Sequence, residues 1–186
     1  MTDKNKVIVL CDFDGTITTS NTLDMIYERH ADCGTAYIDE WNAGRLSTQE
    51  EMRLTFDQIH ATREEIEDSV DRYMQFDVGA AEFLALVPDM GYEFAIISEG
   101  FEWYIRYLLK KLGVPAPKIY ASNIYFEADG SYRLDFPWYD PKYPMRGTAK
   151  ATIVERYQRE GWYTIFIGDG HSDTHAVEVA DKVYAK

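Results

Sequence analysis

The sequence predicts an α/β protein with a doubly wound, mostly parallel β-sheet and an α-helical cap inserted after the first strand. Three observations support this prediction. Short apolar runs alternate with amphipathic stretches along most of the chain, as in sheets whose parallel strands are joined by helices. Residues 21–76 interrupt that alternation with a helical pattern throughout. Polar side chains cluster at the points where the apolar runs end.

The first strand is predicted at residues 7–10, where Val-Ile-Val-Leu is typical of a strand buried on both faces. It leads directly into Cys11-Asp12-Phe13-Asp14-Gly15. Aspartate and glycine are poor strand residues, so the simplest interpretation is a turn that ends the strand. The functional interpretation is a ligand site, because open α/β sheets bind ligands at the carboxyl ends of their strands. The rest of the chain has to decide between them.

The helical segment contains two clear helix starts. Ser47 and Thr62 are each followed three residues later by a glutamate, which is the pattern of a capping box. A crossover between parallel strands normally uses a single helix, so several helices in a row indicate an insertion. We therefore predict a core formed by residues 1–20 and 77–186 and a helical cap formed by residues 21–76.

The remaining pattern predicts strands and helices in alternation after the cap. Gly113 is placed to end one of these helices, and residues 128–131 form the turn of a hairpin. The predicted strands are 93–98, 118–121, 124–127, 132–136, 163–167 and 182–185, and the predicted helices are 81–90, 101–112, 148–160 and one that runs to about residue 180.

Composition and charge exclude several classes of function. The formal net charge of −13 argues against nucleic acid or an anionic membrane surface as a partner. Cys11 and Cys33 are the only cysteines and have no metal-site spacing, so we expect a reducing, cytoplasmic environment. No apolar run is long enough for a signal-peptide core or a membrane span.

The polar clusters are chemically consistent with phosphoryl transfer. Carboxylates that share one pocket cannot all stay ionised without a cation, and a hard oxygen-ligated ion such as Mg²⁺ fits best. A carboxylate beside Mg²⁺ can attack phosphorus, and a second carboxylate can carry the proton. The candidate residues are Asp12, Asp14, Asp169 and Asp173 for metal and catalysis, and Ser98, the backbone amides of Glu99 and Gly100, and Lys150 for phosphate.

These motifs resemble those of the haloacid dehalogenase superfamily of phosphohydrolases. They occur in the order of the family and extend over nearly the whole chain: residues 12–18, Ser98, Lys150 and residues 168–173. The first and the last are specific, whereas a lone serine or lysine would carry no weight. The resemblance implies an α/β core, a small phosphorylated metabolite as substrate and Mg²⁺ as cofactor.

The resemblance also implies a role for each motif residue. Asp12 would be the nucleophile, and Asp14 would be the general acid and then the base for the attacking water. Ser98 and Lys150 would hold the transferred phosphoryl group. Asp169 would bind Mg²⁺ with Asp12 and the backbone carbonyl of Asp14. Asp173 would support the metal either directly or through water.

The helical insertion resembles the small α-helical cap of the phosphoserine phosphatase-like branch of the family. Within it, the chain is similar to phosphatases that act on 2-hydroxy-3-keto-5-methylthiopentenyl-1-phosphate, for example at residues 41–47 and 101–105. Two positions depart from these patterns. Phosphoserine phosphatases carry a glutamate at the position of Asn21. The phosphatases of 2-hydroxy-3-keto-5-methylthiopentenyl-1-phosphate commonly have Ser-Gly-Gly where this chain has Ser98-Glu99-Gly100. Asn21 and Arg53 are candidate substrate contacts. Phosphoserine phosphatase-like activity and a phosphoryl-accepting regulatory protein without turnover remain alternatives.

Overall fold

A computed structural model describes residues 6–186 of the chain. The strands are β1 (Lys6–Cys11), β2 (Glu93–Phe101), β3 (Lys118–Phe126), β4 (Tyr132–Asp135), β5 (Trp162–Gly168) and β6 (Lys182–Ala185). The helices are α1 (Thr22–His30), α2 (Ala36–Asn42), α3 (Thr48–Phe56), α4 (Arg63–Tyr73), α5 (Ala80–Asp89), α6 (Glu102–Leu112), α7 (Lys150–Arg159) and α8 (Thr174–Val179). Residues 1–5, on which the expectation of no signal peptide depends in part, lie outside the described residues.

The six strands form one sheet in the order β4-β3-β2-β1-β5-β6. All neighbours are parallel except β4, which pairs antiparallel with β3. From β1 the chain winds first towards β2 and β3 and later towards β5 and β6, so the direction reverses between β1 and β5. Ligands bind at such switch points in open α/β sheets. The predicted fold class is confirmed.

The sheet is covered on both faces, as the side chains of β1 show. Leu10 belongs to an apolar cluster that includes Val154 of α7 and Ala176 of α8. The next residue, Cys11, belongs to a second cluster that includes Leu84 of α5. Successive strand residues point to opposite faces, so the two clusters lie on the two sides of the sheet.

Helices α1–α4 lie between β1 and α5 in the chain. Both predicted capping boxes are present, with Glu50 and Glu65 bonding back to the amides of Ser47 and Thr62. The chain leaves and re-enters the sheet region side by side, because the Thr19 amide donates to the Gln75 carbonyl at 2.9 Å. The apolar faces of α1, α3 and α4 share one cluster with Cys11. The division into a core and a cap remains a prediction.

Two predicted strands have different limits in the structure. The predicted strands at 118–121 and 124–127 are one strand, β3, because Lys118–Ser122 pairs with β2 and Asn123–Phe126 pairs with β4. Strand β2 does not end at Ser98 but runs to Phe101, which pairs with Ser122 after a shift in register. Glu99 and Gly100 therefore lie in the last part of a strand, and α6 begins only at Glu102.

Within residues 6–186, no helix is both long enough and apolar enough to cross a membrane.

Candidate active site

Asp12 follows β1 directly and is almost fully buried, with 5% of its surface exposed. Its amide donates to the Ile167 carbonyl of β5 at 2.8 Å, which fixes the backbone at the switch point. Its Oδ1 atom accepts a hydrogen bond from the Phe13 amide at 2.8 Å and lies 2.8 Å from the Lys150 Nζ atom. Both contacts involve Oδ1, and neither of them occupies Oδ2.

Lys150 is the buried cation of this site. Its Nζ atom contacts Asp12 and also lies 2.6 Å from Asp173 Oδ1 and 3.1 Å from Ser172 Oγ. Burial alone would lower the pKa of Lys150, but the charges of Asp12 and Asp173 raise that pKa above its usual value. Burial raises the pKa of Asp12 to about 7, with Lys150 opposing the shift and Asp173 adding to it. Two carboxylates thus contact one ammonium group, which cannot compensate both negative charges.

Asp14 is held at both carboxylate oxygens. Oδ1 accepts hydrogen bonds from the Thr22 amide at 3.0 Å and the Thr22 hydroxyl at 2.5 Å, and Oδ2 accepts one from the Tyr104 hydroxyl at 2.5 Å. Burial raises the pKa of Asp14, and the hydrogen bonds from Thr22 and Tyr104 oppose that shift. Thr22 is the first residue of α1 and Tyr104 lies in α6, so one carboxylate connects two distant segments of the chain.

Ser98 and Gly100 form a tight corner at the end of β2. The Gly100 amide donates to Ser98 Oγ at 2.9 Å, so that oxygen already accepts one bond while its own hydrogen stays available. The corner is not a helix N-terminus, because α6 begins only at Glu102, and the contact of the Gly100 amide with phosphate stays a prediction. Gly100 has a different reason to be glycine: a Cβ atom there would collide with the Tyr104 hydroxyl that holds Asp14.

Glu99 does not extend towards the other carboxylates. Its Oε2 atom accepts hydrogen bonds from the amides of Gly147 and Thr148, at 2.9 and 3.1 Å. Burial raises the pKa of Glu99, and Lys150 and those two amides oppose the shift. The side chain therefore fixes the loop that leads into Lys150.

The loop after β5 places Asp169 and Asp173 close to Asp12. Asp173 is buried, and its Oδ2 atom accepts from the amides of Asp169 and Gly170 at 3.1 and 3.0 Å. Asp169 accepts a hydrogen bond from the Thr16 hydroxyl at 3.0 Å. Gly15 packs against the Asp169 carboxylate with a φ angle of +76°, so a side chain at position 15 would be excluded by both space and backbone conformation.

Three carboxylates form a candidate cation site. Asp12, Asp169 and Asp173 each offer an oxygen atom, and these oxygens lie within 4.8 Å of one another. Carboxylate oxygens are the ligands that Mg²⁺ prefers, and the excess negative charge around Lys150 calls for a divalent cation. Asp173 already receives hydrogen bonds at both oxygens, which suits a water-mediated contact better than a direct one. The donor set fits Mg²⁺.

Asp12 and Asp169 line the floor of a cavity of about 270 Å³. The opposite wall comes from helices α1, α2 and α3. The core contributes Asp12, Asp14, Ser98, Glu99, Gly100, Asp169, Gly170, His171 and Ser172, and the helices and their flanks contribute Asn21, Leu23, Asp24, Tyr27, Ile38, Trp41, Asn42, Thr48, Glu51 and Met52. None of the described lining residues is an arginine or a lysine.

The two residues suggested for substrate contact have different positions. Asn21 lines the cavity, but its Oδ1 atom caps α1 by accepting from the amides of Leu23 and Asp24. Arg53 does not line the cavity. It lies on a separate surface cleft, with its guanidinium 5.1 Å from the centre of the Phe136 ring. The structure therefore gives no support to Arg53 as a substrate contact.

Sequence reasoning missed two groups of residues at this site. Tyr104 and Thr22 hold Asp14, and Arg146 lies beside the cavity, donating to the His171 carbonyl at 3.0 Å. The Arg146 guanidinium also lies 5.5 Å from the centre of the Trp41 ring, so it connects the loop before Lys150 to α2. The position of Arg146 four residues before Lys150 was the only available signal.

The fold and the site together define a doubly wound α/β protein with an acidic, lysine-supported site at its switch point. The haloacid dehalogenase-like hydrolase model matches residues 9–178, and the chain belongs to that family. This confirms the family that the sequence motifs predicted.

Relatives with assigned names support the same family. The chain is 31% identical over 183 residues to a 2-hydroxy-3-keto-5-methylthiopentenyl-1-phosphate phosphatase from Microcystis aeruginosa, covering 96% of this chain and 84% of that protein. It is 29% identical over 185 residues to the protein of the same name from Bacillus cytotoxicus, covering 96% and 82%. Among solved structures, a substrate-bound phosphoserine phosphatase complex has a TM-score of 0.76 at 23% identity, covering 98% of this chain and 87% of that chain. That likeness concerns the fold.

Proposed function

We propose that this protein hydrolyses a small phosphomonoester in two steps, through an aspartyl-phosphate on Asp12, with Mg²⁺ as cofactor. That it is a phosphatase follows from its family and from the names of its relatives. The observation that carries the proposed mechanism is that Asp12 and Asp14 line one cavity while the Lys150 Nζ atom lies 2.8 Å from Asp12 Oδ1. The free cysteines Cys11 and Cys33 are compatible with the cytoplasmic environment that we propose.

Binding of the phosphoryl group is assigned to Ser98 and Lys150. The Ser98 hydroxyl accepts a hydrogen bond from the Gly100 amide, and its own hydrogen can be donated to a phosphoryl oxygen. Lys150 is held charged between Asp12 and Asp173, and it can stabilise negative charge that develops on the transferred group. Asp12, Asp169 and Asp173 would hold Mg²⁺, which supplies charge neutralisation for the phosphoryl oxygens.

Asp12 and Asp14 then have separate tasks. Asp12 Oδ2 attacks phosphorus, and the bond between phosphorus and the leaving-group oxygen breaks. Asp14 gives its proton to that oxygen and later takes a proton from the water that attacks phosphorus in the phospho-Asp12 group. The bond between phosphorus and Asp12 Oδ2 then breaks, which releases inorganic phosphate and restores the carboxylate. The three hydrogen bonds from Thr22 and Tyr104 orient Asp14 for both steps.

The first experiment is hydrolysis of an aryl phosphate in the presence of Mg²⁺. We expect Asp12→Asn to lower kcat by at least about 10⁴-fold, since it removes the nucleophile. EDTA should inactivate the wild-type protein and Mg²⁺ should restore it. Full activity in Asp12→Asn would refute the nucleophile assignment, and turnover in EDTA would refute the metal assignment. A circular dichroism spectrum equal to that of the wild type controls for folding.

The natural substrate is the next question. The named relatives make 2-hydroxy-3-keto-5-methylthiopentenyl-1-phosphate the first metabolite to test. O-phosphoserine should be tested beside it. We expect O-phosphoserine to be the poorer substrate, because no arginine or lysine among the described lining residues is available to bind its carboxylate.

A further inference from the structure

The wall of the cavity opposite the catalytic residues carries its own carboxylates. Glu51 of α3 is buried, with 6% of its surface exposed, and Asp24 of α1 also lines the cavity. Neither residue takes part in the proposed chemistry. When an intact phosphomonoester is bound with its phosphorus atom facing Asp12, its leaving group would extend towards this wall, since the wall lines the same cavity.

The hydrogen-bond partners of Glu51 are neutral. Its Oε1 atom accepts from the Thr55 hydroxyl at 3.1 Å, and its Oε2 atom accepts a long bond from the Tyr27 hydroxyl at 3.4 Å. No ion pair within residues 6–186 involves Glu51 or Asp24. Burial raises the pKa of Glu51 to about 7 and that of Asp24 to about 6, the latter with contributions from Asp14 and Glu28.

The charge on this wall limits what can bind there. A buried carboxylate without a cationic partner is costly, and a ligand that donates an N–H or O–H group removes part of that cost. A ligand that brings another carboxylate adds like-charge repulsion in a poorly solvated space. The lining residues on the described chain supply no arginine or lysine to offset it.

We propose that Glu51 is a specificity-determining residue that accepts a hydrogen bond from the leaving group of the substrate. The preferred substrate is then a phosphorylated alcohol whose organic part carries an amino or hydroxyl group and no carboxylate. This inference rests on the proposed function, because it assumes that the substrate binds with its phosphorus atom facing Asp12. It names the substrate class for the same site.

A purely structural role for Glu51 is the alternative. In that case the side chain only orients Tyr27 and Thr55, and its removal would weaken binding of all ligands equally. A series of ligands of one size that differ in one terminal group separates the two cases. Three two-carbon phosphomonoesters form such a series: phosphoethanolamine with an ammonium group, 2-hydroxyethyl phosphate with a hydroxyl group, and phosphoglycolate with a carboxylate.

The test is binding of these three esters, measured by calorimetry in Mg²⁺ on the Asp12→Asn variant, so that no turnover is required. We expect phosphoethanolamine to bind at least about tenfold more tightly than phosphoglycolate, with 2-hydroxyethyl phosphate between them. Adding Glu51→Gln should reduce that ratio about tenfold or more. Adding Glu64→Gln instead should preserve the ratio, since this exposed residue of α4 changes the net charge equally.

Each outcome separates the inference from the proposed function. Equal binding of the three esters, binding of none, or tighter binding of phosphoglycolate would overturn the role of Glu51. So would a Glu51→Gln effect that is the same for all three. The proposed function fails independently, if the wild-type protein does not hydrolyse an aryl phosphate in Mg²⁺. Unfolding temperatures of all variants show whether a loss of binding is a loss of structure.

Discussion

The carboxylates on the two walls of the cavity have different partners. On the floor, Asp12 and Asp173 share the buried ammonium group of Lys150, and Asp14 receives three hydrogen bonds. On the opposite wall, the side-chain partners of Glu51 within residues 6–186 are two hydroxyl groups. The floor is thus arranged before any ligand arrives, as catalysis by preorganised charge requires. The carboxylate of Glu51 on the opposite wall can still accept a hydrogen bond from a ligand, which allows that wall to select the substrate.

The largest expected effect on stability comes from removing the ammonium group of Lys150. Lys150→Met leaves Asp12 and Asp173 buried without their positive partner. We expect the free energy of unfolding to fall by about 3–5 kcal/mol and kcat to fall by at least about 10³-fold. Urea denaturation in EDTA and hydrolysis of an aryl phosphate measure the two quantities.

Lys142→Met is the matched control for this variant. Lys142 also pairs with a carboxylate, at 2.7 Å from Glu155, but its side chain is 55% exposed. Exposed pairs contribute less than about 1 kcal/mol. If the free energy of unfolding fell by the same amount in both variants, the buried ion pairs of Lys150 would contribute no more to stability than an exposed pair.

A smaller effect is expected from the residue that orients Asp14. Tyr104→Phe removes the hydrogen bond to Asp14 Oδ2. We expect kcat to fall about 10- to 100-fold, as for the loss of one hydrogen bond to a charged group. The Tyr104 bond opposes the upward shift of the pKa of Asp14, so its loss should raise that pKa further. The limb of the pH–rate profile that belongs to Asp14 should therefore move to higher pH.

Tyr107→Phe provides the control, because Tyr107 lies on the same helix and donates instead to Asp71, at 2.8 Å. Its loss should change neither kcat nor the pH profile. An unchanged pH profile in Tyr104→Phe would show that the tyrosine fills space without orienting the acid.

The smallest effect concerns the opposite wall and is a dependence of stability on pH. Glu51 has a folded-state pKa of about 7 against an ordinary value of 4.5, so the folded protein binds its proton more tightly. Its contribution is fully present below pH 4.5 and is lost as the pH rises through 7. Wild-type stability should therefore fall over this window by about 1–3 kcal/mol more than that of Glu51→Gln.

Urea denaturation of both proteins in EDTA at pH 5 and pH 8 measures this difference. Asp12, Asp14 and Asp24 titrate in both proteins, so the comparison isolates Glu51. Parallel changes in the two proteins would mean that Glu51 is no more buried than an ordinary surface glutamate.

The floor of the cavity could be predicted from the sequence, whereas the opposite wall could not. Asp12 and Asp169 each follow a buried strand and Ser98 lies near the end of another, and parallel strands bring such residues to one edge of the sheet. The chain positions therefore sufficed to group them. Glu51 lies within an amphipathic helix beside buried Met52, and only the placement of α3 shows that it faces a cavity.

Contacts between distant segments were also beyond the sequence. Gly100 was predicted to bind phosphate through its amide, because the chain was expected to enter a helix there. In the structure it makes room for the Tyr104 hydroxyl. That reason depends on the course of α6 over the end of β2, and no local pattern records it. The long strand β3 was missed in a similar way, since its two halves pair with different partners.

The most direct test of the central claim is detection of the phosphoryl group on Asp12. Asp14→Asn protein is mixed with an aryl phosphate and Mg²⁺, quenched in acid within the first turnover, digested and analysed by mass spectrometry. Release of the phosphoryl group is slowed in this variant, so we predict that the peptide containing Asp12 gains the mass of one phosphoryl group. Turnover with Asp12 unmodified throughout, or with the phosphoryl group on another residue, would contradict the account.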